Sequence, residues 1–554
     1  MKVKGIESDK SSSQSSVFSF SSKTARGSLP ARNCKSKTRN KVLIAALLFA
    51  ALALSQMVAP PRAALADSKT TIERLHRDAK KALRKGDYEK ASNIYADLLR
   101  LDQQDAQAKL GSAFAHFKMQ DYIVCFNQAS EVTKSDPANA QAHALAGLAL
   151  LRSGYIRAAI NELRLALVNN PKEALAFGGL AEIDYYEGRT RDARAKALYA
   201  HNLDPDEPDY LITYARASSR AEDFKEAADA YEIFLQVAPE TDRERRERIQ
   251  GLIKFYRRLA GIQVHQLTGP DVTEIPFKIG GDRRPYMHVK VNGRDAVFVI
   301  DTGSGFTVIA KESAKRLGVS EVAHGGKSQG VGGDGKFPIV YGLIKSFEMG
   351  DAKLRMVPCF IRPFHGAEDR PADERADGLV GLSVLSKFLT ELDYRDGRLR
   401  LNRNSTQPLS ASATPDQTVV PFRTTQNGLI SIETELDGNH TINAILDSAA
   451  SSTVISTAAV ERLNLRDRII KGQTANVIGA AGVANNVELL FIRNCRVANL
   501  EQTNLRALVL DFNAINETSG FEQSGILGGD FLRHFSVTID FNRAQVAFKP
   551  HTNK

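Results

Sequence analysis

Two aspartates, Asp301 and Asp447, stand 146 residues apart, each at the end of an apolar run. The first run reads Val297-Phe298-Val299-Ile300-Asp301-Thr302-Gly303-Ser304, and the second Ile442-Asn443-Ala444-Ile445-Leu446-Asp447-Ser448-Ala449-Ala450-Ser451. One carboxylate on each of two copies of a unit is a way to set two carboxylates face to face around one water. At a separation of about 3 Å both cannot ionise cheaply, so the pair holds one proton and titrates as a unit. The ionised member can then take a proton from the water while the protonated one donates to a peptide-like carbonyl, with no covalent adduct. The hydroxyls and small residues that follow each aspartate are suited to fixing that geometry.

The elements around the two aspartates repeat as well. Asn292-Gly293 precedes Asp301 and Asp437-Gly438 precedes Asp447, both hairpin-type turn signals. Arg316-Leu317 and Arg462-Leu463 follow at the same offsets, each in a short helix-like run. Glycine-rich loops come next, Gly330-Val331-Gly332-Gly333-Asp334-Gly335 and Val477-Ile478-Gly479-Ala480-Ala481-Gly482, now shifted by one residue. The same shift persists through Leu379-Val380-Gly381 against Ile526-Leu527-Gly528, Phe388 against Phe535, and Leu392-Asp393-Tyr394 against Ile539-Asp540-Phe541. A lone Asp-Thr-Gly is more often a turn than a site. The ordered series is what carries the duplication. Asp393 and Asp540, each after an apolar strand, read as turn residues, and the glycine loops lack the strand, Lys-Ser/Thr and helix setting of a phosphate loop.

Residues from about 275 to 550 resemble a bilobal aspartic protease of the pepsin and retropepsin-like superfamily, with strand, Asp-Thr/Ser-Gly, flap hairpin and a bracing apolar-apolar-Gly segment in each lobe. The chain has no Trp, and its lobes are nearer the retroviral length with paired flaps. The resemblance implies a polypeptide substrate and a catalytic dyad of Asp301 and Asp447, braced by Thr302, Gly303, Ser304, Ser448 and Ala449. It implies flaps at Gly330, Val331, Gly332 and Gly333 and at Val477, Ile478 and Gly479. It calls for no cofactor and no metal, and no zinc-type spacing or His-Glu-x-x-His is present. One departure is Ala449, where the family's second motif has Gly; a β-carbon there costs energy if the backbone needs positive φ or a close approach. The alternative is therefore a silent retropepsin-like peptide-binding or scaffold protein.

A different pattern precedes this half. Pro137, Pro171, Pro205 and Pro239 recur at intervals of 34, as do Ala91, Cys125, Ala159, Ala193 and Ala227, and again Ala113, Gly147, Ala181 and Ala215. Small residues where two helices touch, with proline after the second helix, resemble tetratricopeptide (TPR) repeats. Five repeats are expected between about 72 and 241, closed by a capping helix from Arg243 to Leu259. By fold analogy they bind a protein partner or substrate, or serve as a spacer.

The first 41 residues hold ten Lys or Arg and two acidic residues, so most of the net charge of +10 lies in this tail. No basic stripe with interleaved aromatics remains beyond it, which argues against nucleic-acid binding. The apolar run Val42–Leu54, continuing through Met57-Val58-Ala59 and ending near Ala64-Leu65-Ala66, matches an export signal with cleavage before Asp67; an uncleaved anchor is the alternative. The expected location is periplasmic or secreted, with an organelle lumen behind it. The four cysteines, Cys34, Cys125, Cys359 and Cys495, define no pairing, and a Cys359–Cys495 disulfide is left open. The expected architecture is multidomain: a lead over 1–66, an all-α TPR solenoid over 67–260, one all-β lobe over 270–405, a polar linker over 406–418 and a second related lobe over 419–554. With both aspartates on one chain, a monomer is expected.

Overall fold

The computed structural model of the protein describes residues 62–330, 336–364, 374–403, 416–438 and 440–551, with 371 and 409. The basic lead, the apolar run and most of the polar linker lie outside the described residues. No helix among those described is long and apolar enough to cross a membrane.

The helical half consists of five antiparallel pairs: Arg62–Lys85 with Tyr88–Leu101, Ala106–Lys118 with Tyr122–Ser135, Ala140–Arg152 with Ile156–Asn169, Ala174–Tyr186 with Thr190–Leu203, and Asp209–Arg220 with Phe224–Val237. One more helix, Arg243–Leu259, closes the stack. The small residues at the 34-residue period are the contact points. Ala91, Cys125, Ala159, Ala193 and Ala227 are fully buried, and a Cβ on Gly147 would come within 2.8 Å of Leu163 Cγ. Several helix starts are capped by side chains predicted from no motif but consistent with their type: Asp105 accepts from the amide of Ala108 at 2.9 Å and Asn139 from that of Ala142 at 3.0 Å. The coil turns far enough for Lys118 of the second pair to reach Glu207 and Asp209 at the start of the fifth, at 2.6 and 2.7 Å.

Each β lobe forms around a central buried strand, Arg294–Ile300 or His440–Leu446, entered by the turn that the sequence marked. Asn292 and Gly293 both take positive φ, as do Asp437 and Gly438. Val291 pairs with Arg294, a two-residue loop, whereas Leu436 pairs with His440, a loop one residue longer. That one-residue difference in loop length accounts for the offset between the glycines. On its other side each central strand runs parallel to a short segment, Phe298 beside Gly378 to Ile300 beside Val380, and Ala444 beside Gly525 to Leu446 beside Leu527.

The lobes share a six-stranded antiparallel sheet. Its order is Thr418–Pro421, Gln545–Pro550, Phe535–Asp540, Leu389–Asp393, Arg398–Asn402 and Val272–Ile279, three strands from each copy. The central pairing joins Thr390 to Ile539 and Leu392 to Val537. These are equivalent positions exchanged, so a local twofold runs between the two strands. Asp393 and Asp540 close turns, accepting from the amides of Arg395 and Arg543. Cys359 and Cys495 are buried free thiols in the apolar core, so the disulfide left open by the sequence is not formed.

The repeats do not stand apart as a spacer; with both lobes they form one unit, Lys69–Lys554. Phe521 of the second lobe is 2% exposed and packs among repeat residues, its ring 5.1 Å from that of Tyr186. Around it Arg152 donates to the Gly520 carbonyl at 2.9 Å, Glu522 donates its amide to the Arg152 carbonyl, and Thr424 donates to the Tyr186 carbonyl. At the other end the capping helix lies on the strand Ser320–Gln329, and Phe255 stacks on Tyr341 at 4.5 Å. Phe521→Ala should lower the unfolding free energy by roughly 3–5 kcal/mol, seen as an earlier midpoint in a urea titration. An unmoved midpoint would show that this plug contributes little.

Candidate active site

Asp301 and Asp447 end the two central strands, and both backbones are tied to the neighbouring parallel segment in the same way. The Asp301 amide donates to the Val380 carbonyl and the Asp447 amide to that of Leu527, each at 3.1 Å. The following residues lock the loops across the lobe boundary. Thr302 Oγ1 donates to the Leu446 carbonyl at 2.9 Å and accepts from the Ser448 amide at 2.9 Å. Ser448 Oγ donates to the Ile300 carbonyl at 2.7 Å and accepts from the Thr302 amide at 3.0 Å. All four bonds lie in the interior, where an unmade partner costs most.

This lock brings the carboxyl groups together. A Cβ on Gly303 would stand 2.3 Å from Asp447 Cγ and Oδ2 and 2.6 Å from Oδ1, so only glycine leaves room for the opposite carboxyl. Gly303 also donates its amide to Asp301 Oδ1 at 2.9 Å. Asp447 Oδ1 receives two such bonds, from Ala449 at 2.8 Å and Ala450 at 2.9 Å. Neither Gly303 nor Ala449 takes positive φ, so the alanine imposes no backbone strain, and its amide performs the same task as that of Gly303. Ser304 Oγ turns away to the Phe306 carbonyl at 2.8 Å. The Ser304 carbonyl accepts from the Leu382 amide and the Ala450 carbonyl from the Gly529 amide, which is how the apolar-apolar-Gly segments brace the two loops.

The electrostatics of the pair are unequal. Burial, reinforced by the neighbouring Asp447 charge, pushes the Asp301 carboxyl up to about 8, against the pull of Arg362 and the Gly303 amide. Burial raises Asp447 too, while the Ala449 and Ala450 amides favour its ionised form. Asp301, 7% exposed, has one amide donor and Asp447 two, an inequality that favours the shared proton on Asp301.

Two long hairpins cover the pair. One is Ser320–Gln329 with Lys336–Met349, and the other Ile469–Gly479 with Gly482–Val497. Gly330, just past the first strand of the first hairpin, meets the turn of the second: a Cβ on it would fall 2.6 Å from the Ala480 Cβ. Val331, Gly332 and Gly333 lie outside the described residues. In the second hairpin Val477 pairs with Ala484, Ile478 with Val483 and Gly479 with Gly482. Val477 packs inward against the cluster that includes Ala450, while Ile478 is 50% exposed.

One residue of the cleft went unnoticed in the sequence. Arg362, at the end of the strand Ala352–Arg362, lies with its guanidinium 5.5 Å from the Phe337 ring centre and 5.3 Å from that of Phe364, and donates to the Ala480 carbonyl at 3.3 Å. Its only trace in the sequence is a charge directly after the apolar Val357-Pro358-Cys359-Phe360-Ile361.

An aspartate whose folded-state pKa is raised favours folding at pH values below its ordinary range, and that contribution is lost as the pH climbs through the raised value. Asp301→Asn cannot ionise. It should melt with wild type at about pH 4 and several degrees above it at about pH 8, by scanning calorimetry. A gap of the same size at both pH values would contradict the buried, protonated assignment.

Comparison with known proteins agrees with the two-lobed architecture. No curated protein matches the chain. Among solved structures, a thermophilic TPR protein from Thermus thermophilus is similar to the chain at 20% identity, covering 33% of this chain and 98% of its own, with a TM-score of 0.29. A MamA double mutant is similar at 20% identity over 31% of this chain and 97% of its own, with a TM-score of 0.22. Residues 287–384 and 432–531, one stretch in each lobe and each holding one of the two aspartates, match the aspartyl protease family.

Proposed function

We propose that this chain is an exported aspartic endopeptidase that hydrolyses peptide bonds with a water activated between Asp301 and Asp447. The observation that carries this reading is the Thr302–Ser448 lock, which presses the Asp447 carboxyl against Gly303 at the foot of Asp301. In the resting pair Asp301 holds the shared proton and Asp447 is ionised. Asp447 takes a proton from the water as its oxygen attacks the scissile carbonyl carbon, and Asp301 gives its proton to the carbonyl oxygen. The tetrahedral diol then collapses: the proton on Asp447 passes to the leaving nitrogen, the C–N bond breaks, and a diol proton returns to Asp301. The two hairpins would hold an extended substrate segment and exclude bulk water.

The repeats are assigned to presenting substrate or a protein partner, because their capping helix abuts the first flap hairpin. Export rests on the basic lead and the apolar run Val42–Leu54, and would be read by N-terminal sequencing of the mature protein. With both carboxylates on one chain, the working form is a monomer. The scaffold reading rests on Ala449 alone, and the ordinary φ and intact amide bond of that residue give it little support.

Asp301→Asn and Asp447→Asn should each reduce cleavage of a proteome-derived peptide library by at least about a thousandfold, on the scale of losing an essential acid or base, with the fold retained by circular dichroism. Activity of wild type should persist to near-neutral pH and fall as Asp301 ionises at about 8. Turnover that survives either substitution would dismiss the dyad. Failure to bind a statine-type inhibitor, together with no turnover from acid to neutral pH, would favour the scaffold.

A further inference from the structure

Arg362 breaks the symmetry of the two lobes at a position that matters. In the first lobe Thr307–Ala310 runs parallel to the strand that ends at Arg362, with Ala310 beside Arg362. In the second lobe the same pairing sets Ser456 beside Leu510. Ala310 and Ser456 stand equally far beyond their aspartates, so Leu510 is the counterpart of Arg362. Leu510 is buried in the second lobe's apolar cluster. The scaffold therefore accepts a plain apolar side chain at this place, and packing alone does not call for a charge.

The close partners of Arg362 are not carboxylates. Several arginines of the two lobes have carboxylate partners: Arg284 pairs with Asp282 at 2.5 Å, Arg316 with Asp377, and Arg468 with Asp437. Among the described residues no carboxylate lies within ion-pair distance of Arg362. It has two ring faces and the Ala480 carbonyl of the opposite flap. Two aromatic faces fix a guanidinium in orientation while leaving its in-plane donors available, the arrangement suited to bidentate capture of a carboxylate. Its bond to the Ala480 carbonyl places it beneath the second hairpin, and from there its field reaches Asp301.

We propose that Arg362 is a specificity-determining residue that binds a carboxylate of the substrate, from an Asp or Glu side chain or from the chain's C-terminus, beneath the second flap. The inference rests on the hydrolase reading above. Such a group would supply the counter-charge, and its bonds to Arg362 would compete with or add to the bond to Ala480, drawing the flap onto the bound chain.

The test uses the full chain with Arg362→Met and Arg362→Lys; the leucine at the mirror position indicates that Met will be accommodated. Library profiling supplies a cleaved sequence, from which peptide pairs are made that differ only in Glu for Gln, or in a C-terminal acid for an amide. Wild type should favour the carboxylate member of one pair by about 10- to 100-fold in kcat/KM. Arg362→Met should lose the preference and Arg362→Lys regain part of it. The pair that shows the gap tells side chain from terminus. A binding arm, with fluorescent hexapeptide pools carrying Glu or Gln and a terminal acid or amide, uses Asp447→Asn with and without Arg362→Met. If nothing is cleaved, the hydrolase reading fails, yet the carboxylate pools must still bind the Arg362 form more tightly. Equal treatment of both members of every pair, or a preference that survives Arg362→Met, overturns the proposal. So does a variant in which only the pH profile moves, because that marks a residue acting on Asp301 alone.

Discussion

The exchange of hydrogen bonds between Thr302 and Ser448 is the constraint on which the site depends. Each hydroxyl bonds one carbonyl and one amide of the other lobe, so neither loop can shift without stranding buried polar groups of both. The shared six-stranded sheet holds the lobes together from below, and the lock sets their separation at the level of the carboxylates. The close approach of the two carboxyl groups follows from how little space that leaves.

The two copies are the same in scaffold and different in detail, and several of the differences bear on the cleft. Gly303 admits the opposite carboxyl where Ala449 keeps a β-carbon. Asp301 has one amide donor in its loop and Asp447 has two. Arg362 stands where the other lobe has Leu510. A homodimer would be obliged to carry each such change twice. A duplicated chain can give its two carboxylates separate surroundings, and here the sequence has done so.

Most of the scaffold was legible because it repeats. The 34-residue spacing of Ala91 through Ala227 located the helix contacts, and the turn pairs Asn292-Gly293 and Asp437-Gly438 located the hairpins. The offset between those turns became intelligible only with the strand register, which placed the extra residue in one loop. The importance of Arg362 was hidden for the opposite reason: it matches nothing in the other copy, and its neighbours Phe337, Phe364 and Ala480 come from separate stretches of the chain. Nor did any pattern foretell that Phe521 enters the repeats, since one aromatic in a loop carries no period.

The buried seam between the helices and the lobes has a further implication. Phe521 shares an apolar cluster with the third and fourth repeats, and Ala323 and Tyr341 share another with the fifth repeat and the capping helix. A cut near residue 260 would lay bare both sets of side chains at once. The two-lobed half is thus no detachable cassette: it shares a common interior with the helices, and the two parts depend on each other to fold.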